Sequence, residues 1–383
     1  MNVPKLRFKE FNDDWIEEKI NELVELNPKN PNLPENFIYI DLESVSNGIL
    51  LQEKILTKDD APSRAQRQVK VNDILYQTVR PYQKNNLFID KLSHLPYIAS
   101  TGYAILREKN IYQKFLFNKL HTDSFVNEVL DNCTGTSYPA INSNDLGNIK
   151  IFCPNNFKEQ KRIGDFLSLI DKKIELQTKK IEDLKLFKKG LNKNIFSNFN
   201  AKYKIDELIK EYNQKTSKNN QFEVLSSTAN GIILQNEFFN KQAASLDNTG
   251  YKIVPFGFIT YRSMSDTGEF HFNIQNITEN GIVSPAYPVF EINEDIVDKT
   301  YFIYYINENK SFKNKILSLK EGGTRYALSM SKFKEINLDL PPLEYQKKYS
   351  KLLNTYNRKI KNEENKLNKL QELKKGLMQN MFV

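Results

Sequence analysis

An internal repeat is the feature that most constrains how this chain can fold. The segment GTSYPAINSNDLGNIKIFCP, which starts at Gly135, matches GTRYALSMSKFKEINLDLPP, which starts at Gly323. The segment LKLFKKGLNKNIF from Leu184 matches LQELKKGLMQNMF from Leu370, and a shorter block, KINELVE, recurs as KIDELIK. Three matched blocks in one order, offset by about 186 residues, indicate a duplication. The chain is therefore expected to fold as two similar halves.

Each half ends in a segment with heptad spacing. Apolar residues recur there at alternating steps of four and three, as at the a and d positions of a coiled coil. The predicted seam residues are Ile163, Leu167, Ile170, Ile174, Ile181, Leu184 and Leu191 in the first helix, and Leu353, Ile360, Leu367, Leu370 and Leu377 in the second. A single apolar stripe needs a partner, so we predict that the two helices pair as an antiparallel coiled coil. The alternative is that each helix packs on its own globular domain.

The segments that precede the two helices combine strand and helix patterns. Short alternating runs such as FIYIDL, DILYQTV and YKIVPFGFITYR predict strands, and helical stretches follow them. We therefore predict an α+β fold with two tandem mixed α/β domains, each followed by a long helix. The predicted bounds are 1–155 and 201–341 for the globular domains, and 156–200 and 342–383 for the helices.

Composition places the chain in the ordinary globular class. It has 383 residues, of which 39% are hydrophobic and 27% charged, and a chain of this length suits two domains. No apolar run approaches the length of a membrane span, and the charged N-terminus lacks the apolar core of a secretory signal, so we expect a cytoplasmic protein without a membrane partner. Cys133 and Cys153 have no Cys or His neighbour at a metal-ligand spacing.

The formal net charge of +8 does not by itself indicate a nucleic-acid partner. The chain has 46 lysines against 9 arginines, and the two helical segments carry about +5 and +6. The globular domains are therefore slightly negative as a whole. Any surface there that binds a polyanion has to be a local patch.

The motifs of common catalytic and cofactor sites are absent. The sequence contains no Gly-x-Gly, which excludes the usual glycine loops for dinucleotides and S-adenosylmethionine, and no Gly-Lys, which excludes a P-loop. The three histidines are scattered. We predict that this chain has no catalytic residue, no metal site and no cofactor of its own.

Polar, aromatic and basic side chains instead cluster on predicted loops. Arg and Gln suit bidentate hydrogen bonds with base edges, and Lys suits phosphates. The candidate DNA-binding residues are Arg64, Arg67, Arg80, Tyr82, Gln83, Lys84 and Tyr138 in the first domain, and Tyr261, Arg262, Ser263, Arg325 and Tyr326 in the second. The group at Tyr261 ends a predicted strand, in a position similar to that of Arg80. The alternative for each cluster is a solvated loop without a partner.

The repeated blocks also carry a resemblance to a known family. Two variable domains, a GxxxY block, and Glu159-Gln160 leading into a heptad helix that ends in LKxxKKGLxxxxF resemble the specificity subunit of type I restriction-modification enzymes. The stretches DILYQTVRPYQKN, ASTGYAIL and GIVSPAYPVF are similar to parts of its target-recognition domains. In the second copy Tyr345-Gln346 stands in place of Glu-Gln, which we expect to leave the start of the helix intact.

The resemblance implies a function. Each globular domain would read one half of a bipartite target in double-stranded DNA, while the paired helices would fix the spacing and dock two modification subunits. Those subunits would bind S-adenosylmethionine and methylate adenine, and restriction and motor subunits would complete the complex. Two other functions remain open from the residues alone, namely a stand-alone DNA-binding regulator that dimerises through its helices and a scaffold that binds only proteins.

Overall fold

The computed structural model describes residues 3–29, 32–46, 48–135, 137–196, 199, 201–235, 247–318 and 326–383. The chain divides into two compact units. Unit 1 comprises Met1–Lys179 and Glu364–Val383, and unit 2 comprises Lys180–Glu363. Each unit thus contains one globular region and a part of each long helix. The predicted bounds, which separate globular domains from helices, remain a prediction, because the units cut across both helices.

The globular region of unit 1 is built mainly from short strands. They are β1 (Trp15–Lys19), β2 (Val24–Leu26), β3 (Asn36–Ile40), β4 (Val45–Ser46), β5 (Ile49–Leu50), β6 (Lys54–Thr57), β7 (Ala65–Val69), β8 (Ile74–Gln77), β9 (Leu87–Phe88), β10 (Tyr97–Ser100), β11 (Tyr103–Glu108) and β12 (Lys150–Pro154). The helices are α1 (Ile20–Leu23), α2 (Gln113–Lys119), α3 (Asp123–Asp131), α4 (Ser143–Asn148) and the long α5 (Phe157–Ile195), whose last part lies in unit 2.

Unit 2 repeats this design. Its strands are β13 (Ala201–Lys204), β14 (Ile209–Glu211), β15 (Glu223–Thr228), β16 (Gly231–Leu234), β17 (Lys252–Pro255), β18 (Ile259–Thr260), β19 (Met264–Ser265), β20 (Asn273–Ile274), β21 (Asn280–Val283), β22 (Val289–Ile292), β23 (Tyr326–Ala327) and β24 (Asn337–Leu340). Its helices are α6 (Ile205–Leu208), α7 (Lys299–Glu308), α8 (Lys310–Ser318), α9 (Met330–Glu335) and the long α10 (Leu343–Met381), whose last part lies in unit 1.

Two four-stranded sheets form the frame of each unit. In unit 1 the strand orders are β6-β3-β10-β7 and β2-β11-β8-β9, and in unit 2 they are β16-β15-β21-β17 and β14-β22-β18-β20. One pair in each unit is parallel, β3 with β10 and β15 with β21, whereas the other pairs are antiparallel. The predicted α+β class and the tandem duplication are confirmed.

The short helix before each long helix is capped in the same way. The Asn142 side chain accepts a hydrogen bond from the Asp145 amide at the start of α4, and the Ser329 hydroxyl accepts one from the Lys332 amide at the start of α9. Asn and Ser are preferred at this position because their oxygens satisfy an amide that the helix itself leaves unpaired. In each copy a capped turn therefore follows the GT(S/R)Y block in the sequence.

The long helices pair in the antiparallel sense that the heptads predict. In unit 2 the Lys180 ammonium lies 3.1 Å from the Glu363 carboxylate, and the rings of Phe187 and Tyr356 lie 5.2 Å apart between centroids. Residue numbers thus rise along α5 as they fall along α10. In unit 1 Lys374 of α10 forms an ion pair with Asp171 of α5.

The seam residues lie where the heptads place them. Six are buried, namely Ile163, Leu167, Ile170, Ile181, Leu353 and Ile360, and six are half-buried, namely Ile174, Leu184, Leu191, Leu367, Leu370 and Leu377. The start of α5 also packs into the core of unit 1, and the start of α10 packs into the core of unit 2. Helix pairing and packing on the globular domain, which the sequence left as alternatives, therefore occur together.

Among the described residues, no helix combines the length and the apolar character that crossing a bilayer requires.

Candidate nucleic-acid interface

Three hydrogen bonds connect neighbouring loops of unit 1. The Thr101 amide donates to the Arg64 carbonyl at 3.0 Å, and the Thr78 amide donates to the Gly102 carbonyl at 3.0 Å. The Arg80 amide donates to the carbonyl of residue 139 at 2.7 Å. The loops that precede β7, follow β8, follow β10 and follow α3 therefore adjoin one another. The structure thus places the predicted residues of three separate sequence clusters on adjoining loops.

The loop after β8 is held in one conformation from within. Arg80 and Lys84 both adopt left-handed backbone angles, with φ of 53°, on either side of a 3-10 turn at Pro81–Gln83. The Gln77 side chain donates to the Gln83 side chain at 2.8 Å, and the Asn86 side chain accepts from the Gln77 amide at 2.8 Å. Left-handed angles are uncommon for residues other than glycine, and they persist where surrounding contacts fix them.

Arg80 and Tyr138 form a cation–π pair in this loop cluster. The guanidinium carbon lies 4.3 Å from the centroid of the Tyr138 ring, and Tyr138 is 64% exposed. Within the part of the chain that the structure describes, no carboxylate pairs with Arg80. An exposed contact of this kind contributes about 0.5–1 kcal/mol. It restricts the position of the guanidinium group and leaves the charge available to a ligand.

The other candidates of unit 1 differ in how far they are already engaged. Tyr82 and Arg64 are exposed. The Lys84 ammonium lies 2.6 Å from the Asp123 carboxylate and also donates to a backbone carbonyl. Arg67 is half-buried, donates to the Asn27 side chain, and has its pKa lowered by desolvation. Their assignment to DNA binding remains a prediction.

A half-buried histidine beside Lys84 makes the stability of unit 1 sensitive to pH. His121 Nδ1 donates to the Phe117 carbonyl at 2.6 Å, which favours one neutral tautomer. Burial, and to a lesser degree the positive charges of Lys374 and Lys84, lower the pKa of His121 to about 4 from the ordinary value of 6.5.

Because the unfolded chain protonates His121 at a higher pH than the folded chain does, stability should fall as the pH drops from about 6.5 towards 4. The free energy of unfolding, measured by denaturant titration at pH 7.0, 6.0 and 5.0, should therefore decrease more steeply for the natural chain than for His121→Gln. Parallel curves for the two proteins would contradict this assignment.

One candidate of unit 2 is wrong. Tyr261 is 0% exposed, its ring packs against Phe272 and Phe333, and its hydroxyl donates to the Leu328 carbonyl at 3.2 Å. Burial raises its pKa further above the ordinary value. Tyr261 is a core residue, and it has no access to DNA.

The repeat explains why Tyr261 is buried. The Ile141 amide donates to the Thr78 carbonyl, and the Leu328 amide donates to the Ser263 carbonyl, so Thr78 and Ser263 are equivalent positions. Two residues earlier in each copy lies a buried tyrosine, Tyr76 or Tyr261. By the same count Arg80 corresponds to Ser265, three residues beyond Arg262. Within the repeated design, Arg80 and Arg262 therefore occupy similar but not equivalent positions, each in its own unit.

Two of the remaining candidates of unit 2, Arg262 and Ser263, lie between β18 and β19. Arg262 is exposed, and the Ser263 hydroxyl donates to the Ala286 carbonyl at 2.6 Å. Burial raises the pKa of Tyr287, and the positive charge of Arg262 opposes this shift. Tyr326 pairs with Ser265 between β23 and β19. Arg325 lies outside the described residues.

Sequence reasoning did not single out the turn at Thr101 and Gly102, or Tyr287, as parts of these loop clusters. Both lie in stretches that carry the family resemblance, ASTGYAIL and GIVSPAYPVF, and this resemblance is the sequence signal that could have identified them.

Among the described residues, no group of three or more His, Cys, Asp or Glu side chains could hold a metal ion.

Known proteins share this architecture. A solved type I restriction-modification S subunit from M. genitalium aligns with 100% of this chain and 99% of its own, with a TM-score of 0.61 and 18% identity. A structure describing complex assembly and conformational transition of the type I R-M system aligns with 96% of this chain and 97% of its own, with a TM-score of 0.55 and 18% identity. At such identities the likeness establishes the fold alone.

Sequence comparison identifies the family. The Type I restriction enzyme HindI specificity subunit of Haemophilus influenzae is 28% identical over 170 residues, which cover 43% of this chain and 36% of that relative. The matched segment therefore spans well under half of the relative's length. The family model for the type I restriction modification DNA specificity domain matches twice, at residues 12–186 and 195–372, together most of the chain. The chain belongs to the family of type I restriction-modification DNA specificity domains, and it contains two copies of that domain.

Proposed function

We propose that this chain is the specificity subunit of a type I restriction-modification enzyme, and that each unit reads one half of a bipartite target in double-stranded DNA. The observation that carries the proposal is the repeated loop cluster. In both units an arginine follows a strand that leads out of the core, half-buried Arg80 in unit 1 and exposed Arg262 in unit 2, and it lies beside the loop that precedes the capped turn. Loops on a rigid frame are the usual place for recognition residues.

The two loop clusters differ in the side chains that they present. The buried frame is preserved, as Tyr76 and Tyr261 illustrate, but Ser265 stands where unit 1 has Arg80. Base pairs are distinguished in the major groove by the pattern of donors and acceptors, so different side chains select different bases. This difference supports two unlike half-sites rather than a palindromic target.

The outer face of α5 offers a surface for the modification subunits. Leu169 and Leu176, seven residues apart on one side of the helix in unit 1, are 65% and 55% exposed. Exposed leucines in a heptad relation suit a partner helix. S-adenosylmethionine would bind to that partner, the restriction and motor subunits would join the same complex, and this chain would contribute recognition but no chemical step.

Replacing both leucines, as in Leu169→Lys with Leu176→Lys, should weaken binding of the modification subunit at least tenfold, because each substitution removes exposed apolar area that the partner would cover. Titration calorimetry of the full chain with that subunit measures the change. Leu51→Lys is the matched control, since Leu51 is equally exposed but lies in the globular region. Equal affinities for the double variant and the natural chain would reject this docking surface.

The function itself is tested by reconstitution. The chain mixed with its modification subunit, S-adenosylmethionine and genomic DNA should yield adenine methylation at one bipartite sequence, and the chain alone should yield none. Methylation of the same sequence by the modification subunit without this chain would refute the proposal. Sequence-specific binding by the chain, combined with failure to associate with the subunit, would instead favour a stand-alone regulator.

A further inference from the structure

The contact between Arg80 and Tyr138 supports a more specific inference, which rests on the proposed function. We propose that Arg80 reads a guanine in the half-site of unit 1, and that Tyr138 is a positioning residue that fixes the plane of the guanidinium group. The two residues lie 58 positions apart in the sequence, but the guanidinium carbon of Arg80 is 4.3 Å from the centroid of the Tyr138 ring in the structure.

The backbone holds both residues in place. The bridge between Val79 and Ala140 brings the loop after β8 onto the loop after α3, and a second bridge between Thr134 and Ala140 closes the latter loop on itself. The Arg80 amide is bonded within this pairing, and its left-handed backbone angles are fixed by the contacts around it. A side chain on such a frame is pre-organised, so little conformational entropy is lost when it binds.

Stacking determines which part of the guanidinium group remains available. Arginine stacks on an aromatic ring through the face of its guanidinium group, and stacking on Tyr138 therefore leaves the edge, with its N–H donors, for a ligand. In the major groove guanine presents two adjacent acceptors, N7 and O6, that match this fork, whereas adenine presents a donor at N6. The pair is therefore suited to a G·C base pair.

The charges around Arg80 agree with this role. Residues 79–86 contain two cations, and the Lys84 ammonium is already paired with the Asp123 carboxylate at 2.6 Å. In the described part of the chain no carboxylate neutralises Arg80, so binding DNA would not require an existing ion pair to break. Arg80 is thus the cation of this loop that an acceptor on DNA can engage at the lowest cost.

The test selects targets from a pool of random duplexes, with the full chain bound to its modification subunit. The natural protein should recover a bipartite sequence with a G·C pair at a fixed position in one half. Arg80→Ala and Arg80→Lys should each reduce the preference for that pair by roughly tenfold or more. The preference at the other half-site should stay unchanged, which also shows that the variants are folded.

Substituted DNA tests the atoms involved. Placing 7-deazaguanine at the selected position removes the N7 acceptor, and it should weaken binding of the natural protein but not of Arg80→Ala. Tyr138→Phe should keep the natural preference because the ring remains, whereas Tyr138→Ala should lower it without adding to the loss in Arg80→Ala. Arg162→Ala is the control, because Arg162 stacks on Phe8 at 5.1 Å elsewhere in unit 1.

Two outcomes would overturn the inference. If Arg80→Ala weakens binding to every sequence equally, then Arg80 contacts phosphate and not a base. If 7-deazaguanine weakens Arg80→Ala as much as the natural protein, another residue contacts N7. A natural protein that recovers no sequence at all would refute the proposed function itself, and with it this inference.

Discussion

Replacing Gly164 with alanine should lower the free energy of unfolding by about 1–3 kcal/mol, the usual cost of an atom forced into a packed contact. A Cβ atom at this position would lie 2.7 Å from the Phe115 nitrogen, 3.0 Å from the Lys114 carbonyl carbon and 3.0 Å from a ring carbon of Tyr112. Backbone cannot move aside as a flexible side chain can. At Gly164, α5 therefore packs so closely on the start of α2 that no side chain fits between them.

The matched control is Gly190→Ala on the same helix. No atom lies within 4 Å of a Cβ built at Gly190, so the substitution should leave packing unchanged and gain up to about 1 kcal/mol from helix propensity. Far-UV circular dichroism in a denaturant titration reports unfolding of both units, and the fluorescence of the single tryptophan, Trp15, which is buried in the core of unit 1, reports unfolding of that unit. Equal stability changes for the two variants would contradict the close contact.

The second large effect is expected for Gln160→Leu. The Gln160 side chain accepts a hydrogen bond from the Tyr112 amide at 2.8 Å and donates one to the Pro154 carbonyl at 2.8 Å, all at the start of α5. Leucine makes neither bond and leaves two backbone groups unpaired in the interior. Each such group costs about 1–3 kcal/mol, so stability should fall by several kcal/mol.

The repeat provides a parallel test in unit 2. Gln346 accepts from the Asp298 amide at 2.9 Å and donates to the Pro341 carbonyl at 2.8 Å, so Gln346→Leu should be similarly destabilising. Gln371→Leu is the control, because Gln371 is exposed on α10 and should change stability by about 0.5 kcal/mol at most. A change that small in Gln160→Leu would show that the two bonds contribute little to stability.

The long helices could be predicted from sequence because their signal is local and repeated. Heptad spacing selects a helix and its buried side at the same time, and two matched stripes in one chain supply a partner. The prediction that Tyr345 in place of Glu159 leaves the helix start intact is also confirmed, since α5 and α10 both begin after the corresponding prolines. The contacts differ, however, because Glu159 accepts from Arg7 and Trp15, whereas Tyr345 accepts from the Tyr349 hydroxyl.

The candidate site was only partly predictable. The alternation of a strand shows that neighbouring side chains point to opposite faces, but it does not show which face is covered. The sequence therefore predicts an accessible Tyr261, whereas the residue lies in the core. The contact between Arg80 and Tyr138 depends on how α3 returns the chain to the end of β8. Nothing in the local sequence of either residue contains that information, and only the fold brings them together.

The claim that two separate units read two different half-sites is tested most directly by sequencing methylated adenines in genomic DNA. Cells that express the modification subunit with this chain should carry one bipartite motif with a fixed gap. Arg80→Ala should relax one half of that motif, and Arg262→Ala should relax the other half. If both variants alter the same half, or if the motif is a single continuous sequence, then the two units do not read DNA independently and the account is wrong.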